Sequence, residues 1–151
     1  MNTIKLTKAA NMFYKLSAKK PAYYGVFLTP ESHQKLLSWW NDAVGQPLLA
    51  KPFAHHMTIK FKPAEEDVAK FTPMIGKEIQ LKVTGFAANE KGQAVKVEPQ
   101  DIGSANANPH ITISCAENVT PVYSNELLSV EFKSADGPTL VGIFDAFPRT
   151  V

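Results

Sequence analysis

The sequence predicts an α+β fold built on antiparallel sheet, and three observations predict it. Runs rich in β-branched, aliphatic and aromatic residues recur over 23–28, 55–62, 78–87, 93–98, 110–115 and 139–147. Turn residues such as Asn89-Glu90-Lys91-Gly92 and Asp136-Gly137-Pro138 join several of these runs as hairpins. Helical periodicity is confined to a few stretches, which suits helices laid against an antiparallel sheet.

Residues 3–18 place Leu6, Ala9, Ala10, Phe13 and Leu16 at helical spacing, and Pro21 ends that helix. The same lead-in holds Lys5, Lys8, Lys15, Lys19 and Lys20 before the first acid, Glu31. Residues 1–20 therefore read as a basic N-terminal helix or arm, suited to touching a polyanion. Tyr23–Leu28 is a compact strand. Thr29-Pro30-Glu31 opens a helix with an N-cap, a proline at the first position and an acid in the first turn. Leu36, Leu37, Trp40 and Val44 form its buried stripe, one of Trp39 and Trp40 facing the core and one the surface. Gly45 and Pro47 close it.

A strand over 55–62 follows. Glu65-Glu66-Asp67 then suits a helix N-terminus, with Val68, Phe71 and Ile75 inward and Pro73 keeping the helix short. Strands 78–87 and 93–98 form a hairpin. Residues 100–109 are a loop rich in Gly, Ser, Asn and Pro that leads into the strand 110–115. Residues 121–128 make a helical turn or two, 129–133 a strand, and 139–147 the closing strand.

At this length the chain is expected to be a single domain, 1–151. Its one cysteine, Cys115, lies on an inward strand face and reads as a small buried hydrophobe, which permits a reducing compartment. No apolar run approaches the roughly 20 residues of a membrane span, and the first twenty residues lack the apolar core of a signal peptide. A cytoplasmic, intracellular location with no membrane partner is expected, and the chain is expected to be a monomer. A net charge of +2 argues against a protein that coats nucleic acid without specificity, which needs a strong basic field. Arg149 is the only arginine, so any phosphate must be held by Lys, His, hydroxyls or backbone N–H groups rather than by paired guanidinium forks.

Two strands share a pattern. His56-Met57-Thr58-Ile59-Lys60-Phe61 and His110-Ile111-Thr112-Ile113-Ser114-Cys115 both read His, apolar, Thr, apolar. With a period of two, Met57, Ile59 and Phe61 face a core while His56, Thr58 and Lys60 face away. Likewise Ile111, Ile113 and Cys115 face in, and His110, Thr112 and Ser114 face out. Each strand presents an imidazole with a hydroxyl about 7 Å further along. Of the other histidines, His55 would point away from His56 and serve structurally or behind it, and His33 would be solvated on a helix surface.

The pair of motifs, 54 residues apart, resembles the signature of the two-histidine (2H) phosphoesterase superfamily, which includes the LigT-like RNA 2′,3′-cyclic phosphodiesterases and viral relatives. The resemblance spans roughly residues 22–147. It implies two lobes of curved antiparallel sheet with helices outside and a central groove that both His-x-Thr pairs face. It implies His56 and His110 as general base and acid, and Thr58 and Thr112 as donors to the phosphate oxygens. Lys60 and Ser114, on the same faces, would add to that hold, and Tyr24 and Tyr123 would stack a base. The substrate would be a nucleotide or short RNA: a 2′,3′-cyclic end, or a 2′–5′ or 3′–5′ linkage. No metal or cofactor is implied, and the chain has no HExxH, CxxC or calcium-loop spacing. Two other readings stay open: a viral-type nuclease that degrades cyclic-oligonucleotide signals, and a catalytically silent nucleotide- or RNA-binding module.

Overall fold

A computed structural model describes residues 20–100, 102 and 108–151. The helix expected over 3–18 lies outside the described residues. β1 (Tyr23–Leu28) is followed by α1 (Pro30–Trp39), which widens into a π-helical turn over Trp40–Val44. β2 (Lys51–Pro52) and β3 (His56–Phe61) precede α2 (Glu65–Phe71) and a 3-10 turn, Thr72–Met74. β4 (Glu78–Ala88) and β5 (Gly92–Pro99) form a hairpin, and β6 (His110–Cys115) follows. α3 (Tyr123–Val130), β7 (Lys133–Ser134) and β8 (Thr139–Phe147) complete the chain.

All strand pairings are antiparallel, and hydrogen bonding runs β6–β3–β1–β8–β4–β5 and returns from β5 to β6. The sheet is thus curved into a ring, with β2 added to β6 and β7 to β4. This is the α+β, curved antiparallel arrangement with helices that the motif resemblance implies, closed here into one sheet.

Local chemistry explains the elements. The Thr29 hydroxyl accepts from the Ser32 N–H at 3.2 Å, Pro30 takes the first helical position, and Gly45 ends the segment at φ +72°. The Asp67 carboxylate accepts from the Ala64 N–H at 2.8 Å and so caps α2. One core joins alternate residues of the six ring strands to α1 and α2. It holds Val26, Met57, Ile59, Leu81, Val97, Ile111, Ile113, Leu140 and Phe144 with Leu36, Trp40, Val68 and Phe71. Trp40 is buried, while Trp39 is half-buried and meets Phe86 edge-on rather than lying on the surface. A second cluster of Ala87, Ala94, Leu127 and Leu128 seats α3 on β4 and β5.

One expected strand is absent. Over 129–133, Ser129 and Val130 continue α3, since Leu127 and Leu128 give that helix a buried face, and pairing resumes only at Lys133–Ser134. No helix among the described residues is long and apolar enough to cross a membrane.

Candidate active site

The two motif strands lie side by side, with Met57 opposite Ile111. Counting one residue either way along this antiparallel pair sets His56 across from Thr112 and Thr58 across from His110. Each histidine therefore faces the other strand's threonine, and all four side chains share one face. They line a cavity of about 410 Å³ together with Tyr23, Phe53, Phe61, Pro121, Val122 and Asn125. Among the described residues, no acid, lysine or arginine is in that lining.

The two imidazoles are braced differently. His110 donates from Nδ1 to the Asn108 carbonyl at 2.7 Å, which leaves Nε2 as its second nitrogen. His56 meets another imidazole: its Nδ1 lies 2.7 Å from Nδ1 of His55. Its ring is stacked between neighbours, with centroids 4.8 Å from His55, 5.1 Å from Tyr23 and 5.5 Å from Phe27. Burial, then the nearby His55 and His110, push the His56 pKa down to about 4. Burial also lowers His110, against the opposing pull of the Asn108 carbonyl, which favours the cation. Burial raises the Tyr23 phenol. The described lining is therefore close to neutral at pH 7, and an anion entering the cavity would favour protonation of an imidazole.

The Thr112 hydroxyl is 2.8 Å from that of Ser124 at the start of α3, which ties the second motif to the helix that walls the cavity. Asn125 on the same turn aims into the lining.

Several sequence expectations are corrected by this geometry. Tyr24 is fully buried in the core, and its hydroxyl is 3.1 Å from the Thr72 hydroxyl, so it cannot reach a ligand. Its neighbour Tyr23 takes the cavity face instead. Lys60 pairs with Tyr24 and leaves the lining, because the β1–β3 pairing shifts between Tyr24 and Gly25. That bulge puts Ile59 and Lys60 on the Tyr24 side and returns Phe61 to the cavity side, 59% exposed, where strict alternation would bury it. Ser114 is fully buried; its hydroxyl donates to Gln93 Oε1 and accepts from the Leu49 N–H at 3.0 Å. Tyr123 opens α3 and packs against the cluster of Ala87, Ala94, Leu127 and Leu128, and its hydroxyl accepts from Asn89 Nδ2 at 2.8 Å. His33 is not merely solvated, because its Nδ1 lies 2.7 Å from the Ala54 carbonyl. His55 precedes β3 rather than belonging to it, so strand alternation does not separate it from His56.

Sequence reasoning missed Tyr23, Phe53, Phe61, Pro121, Val122 and Asn125. Only Tyr23 carried a usable signal. Once Val26 and Leu28 are given to the core, alternation also gives Tyr24 to the core and Tyr23 to the opposite face.

The sequence profile of the fungal tRNA ligase phosphodiesterase domain, a 2H phosphoesterase-type domain, matches residues 55–144, which hold both motifs. Comparison with curated proteins finds no match. Among solved structures, the crystal structure of a fungal RNA kinase superposes with a TM-score of 0.55 at 21% identity. The match covers 84% of this chain and 42% of that one, so the chain spans less than half the length of the matched protein. At that identity the likeness shows the fold. The paired motifs on adjacent strands, the ring of antiparallel sheet and the profile match over most of the chain agree: this chain belongs to the family of the fungal tRNA ligase phosphodiesterase domain.

Proposed function

We propose that this chain is an RNA-end phosphodiesterase that opens a terminal 2′,3′-cyclic phosphate by paired histidine acid–base catalysis, with no metal. The observation that carries this reading is the square of His56, Thr112, Thr58 and His110 on one cavity face. The family's name, a tRNA ligase phosphodiesterase domain, supports it.

In this reading a water oxygen attacks phosphorus while His56 Nε2 takes its proton. The bond from phosphorus to one ribose oxygen breaks, and His110 Nε2–H gives that oxygen a proton, leaving a phosphomonoester and a free hydroxyl. The roles follow from the two braces. His56 has two imidazoles beside it that disfavour its cation, whereas the Asn108 carbonyl favours a charged His110. The proton drawn in by the substrate anion therefore settles on His110. Thr58 and Thr112 donate to the non-bridging oxygens, where negative charge is held. Tyr23, Phe53, Phe61 and Val122 supply an apolar wall for the ribose and base.

The test is an RNA oligonucleotide ending in a 2′,3′-cyclic phosphate, incubated with the chain in EDTA beside 2′–5′-linked and cyclic dinucleotide substrates. Ring opening abolished in His56→Ala and in His110→Ala supports the reading. Turnover confined to the cyclic dinucleotides would move the assignment to signal degradation. Tight binding with no turnover of any substrate would leave a binding module.

A further inference from the structure

We infer that His55 is a positioning residue for His56: its Nδ1 accepts a hydrogen bond from His56 Nδ1–H and so turns the His56 Nε2 lone pair into the groove. The inference rests on the proposed function for its chemical meaning, while the hydrogen bond stands without it.

Two ring nitrogens 2.7 Å apart share one proton, so one imidazole donates and the other accepts. If His56 donates, its Nε2 is a free base. If His55 donates, His56 Nε2 carries a hydrogen in the neutral state and cannot take another. Only the first arrangement lets His56 gain a proton at Nε2 while the bond to His55 survives. As that proton arrives, His56 keeps its Nδ1–H on the His55 lone pair, and the bond that orients the ring survives. When the proton leaves Nε2 for solvent, the pair returns to its starting state. Nothing is oxidised and no bond to either imidazole carbon or nitrogen other than N–H changes.

The surroundings hold His55 in place for this work. Its carbonyl accepts from the Leu28 N–H at 2.9 Å, anchoring it to the end of β1. The residue before it, Ala54, is fully buried with φ +62°, and its N–H donates to the Thr112 carbonyl at 2.8 Å. The Ala54 carbonyl in turn meets His33 Nδ1. This left-handed step, which alanine adopts only when its surroundings enforce it, sets the His55 ring nearly coplanar with His56, 17° from parallel, as an in-plane N–H···N bond requires. Phe53 closes the other side edge-on at 5.9 Å. His55 is otherwise exposed.

The groove thus uses one plan twice with different parts. His110 is braced at Nδ1 by a carbonyl, and His56 is braced at Nδ1 by an imidazole. A carbonyl can only accept, whereas an imidazole can swap roles, which makes the His56 brace the one that a substitution can flip. The titratable and charged groups around it are His110 across the groove, the Tyr23 phenol on one ring face, His33 behind Ala54, and the Arg149 guanidinium 4.8 Å over Phe27.

The test compares His55→Ala, His55→Phe and His55→Asn with wild type. The asparagine places an amide oxygen near the position of Nδ1 and can still accept. Nitrogen-15 spectra of the histidine rings at pH 7.5 should show His56 with hydrogen on Nδ1 in the wild type and in His55→Asn. In His55→Ala and His55→Phe, hydrogen on Nε2 should become populated. On cyclic-phosphate RNA, kcat should fall roughly 10- to 100-fold in the alanine and phenylalanine variants, as for other residues that orient a reacting imidazole. KM should stay within about twofold, and His55→Asn should recover most of kcat. A wild-type His56 with hydrogen on Nε2, or an unchanged tautomer in His55→Ala, overturns the inference, as does a His55→Ala kcat equal to wild type. The spectra need no substrate, so they decide the pairing even where the wild-type chain opens no cyclic phosphate, an outcome that would sink the proposed function alone.

Discussion

The Thr112 hydroxyl lies 2.8 Å from the Ser124 hydroxyl, and this bond fastens the second motif strand to the first turn of α3. Ser124 is buried, so its hydroxyl cannot turn to water for a replacement partner, whereas Thr112 keeps a face on the cavity. Removing the Thr112 hydroxyl with Thr112→Val should slow ring opening by about 10²- to 10³-fold, the usual cost of losing one donor to a developing oxyanion. Ser124→Ala leaves that donor in place but loosens it, and should cost less than tenfold. Single-turnover rates on cyclic-phosphate RNA distinguish the two.

His56→Ala and His110→Ala should each lower kcat by about 10²- to 10⁴-fold, the range for a lost general acid or base. The double variant should be little slower than the worse single one, as the proposed acid–base pair requires of two groups acting as a unit. A multiplicative loss in the double variant would show that they work independently.

Acid should destabilise the fold through His56. Its folded pKa, about 4, lies below the unfolded value of about 6.5, so the unfolded chain binds the extra proton first between those limits. The stability that the neutral ring permits is complete above about pH 6.5 and is lost as pH falls through 4. The difference amounts to at most about 3 kcal/mol. Urea midpoints taken from pH 7 to pH 4 should fall accordingly in the wild type and flatten in His56→Ala. A phosphodiester in the groove opposes the effect by stabilising an imidazolium. The optimum of kcat/KM, which reports the free enzyme, should therefore lie at lower pH than that of kcat.

The two adjacent tyrosines should behave oppositely. Tyr24→Phe removes only the hydroxyl bonded to Thr72 and should cost about 1 kcal/mol of stability with no change in turnover. Tyr23→Ala removes the ring stacked on His56 at 5.1 Å and should raise KM several-fold with a smaller loss of stability than a core truncation. Thermal midpoints and steady-state kinetics on the same samples check both.

Gly25 should tolerate no side chain. It lies opposite Thr58, and a Cβ there would sit 2.7 Å from the Met57 carbonyl oxygen. Gly25→Ala should destabilise by about 1–3 kcal/mol, as overpacking does, and should slow turnover by displacing the first motif strand. Chemical denaturation and kcat together measure it.

Much of this was legible in the chain itself. The two His-x-Thr strands and their common face follow from a period of two, and the helix after Thr29-Pro30-Glu31 follows from capping chemistry. What escaped was non-local. Ser114 obeys alternation but is covered by Gln93 and Leu49, and no local pattern announces a cover. Lys60 and Phe61 exchanged places because β3 carries one residue more than β1 at the bulge, and a bulge is set by two strands together. His55 was misjudged because the strand begins one residue later than the apolar run suggests, and Ala54 bends the chain with a positive φ. Pro121, Val122 and Asn125 come from a segment whose place over the groove depends on α3 docking against β4 and β5.

The closed ring gives both motif strands a hydrogen-bonded neighbour on each side: β1 and β6 flank β3, while β3 and β5 flank β6. Neither strand can slide by one residue without breaking two ladders at once, and such a slip would swing the imidazole into the oily interior and Met57 or Ile111 out. Among the described residues, the same closure leaves β3 and β6 paired on both sides, so neither is an edge strand for an incoming polymer to extend. Selectivity for whatever enters the groove then resides in the replaceable side chains that line it and not in the strand scaffold beneath them.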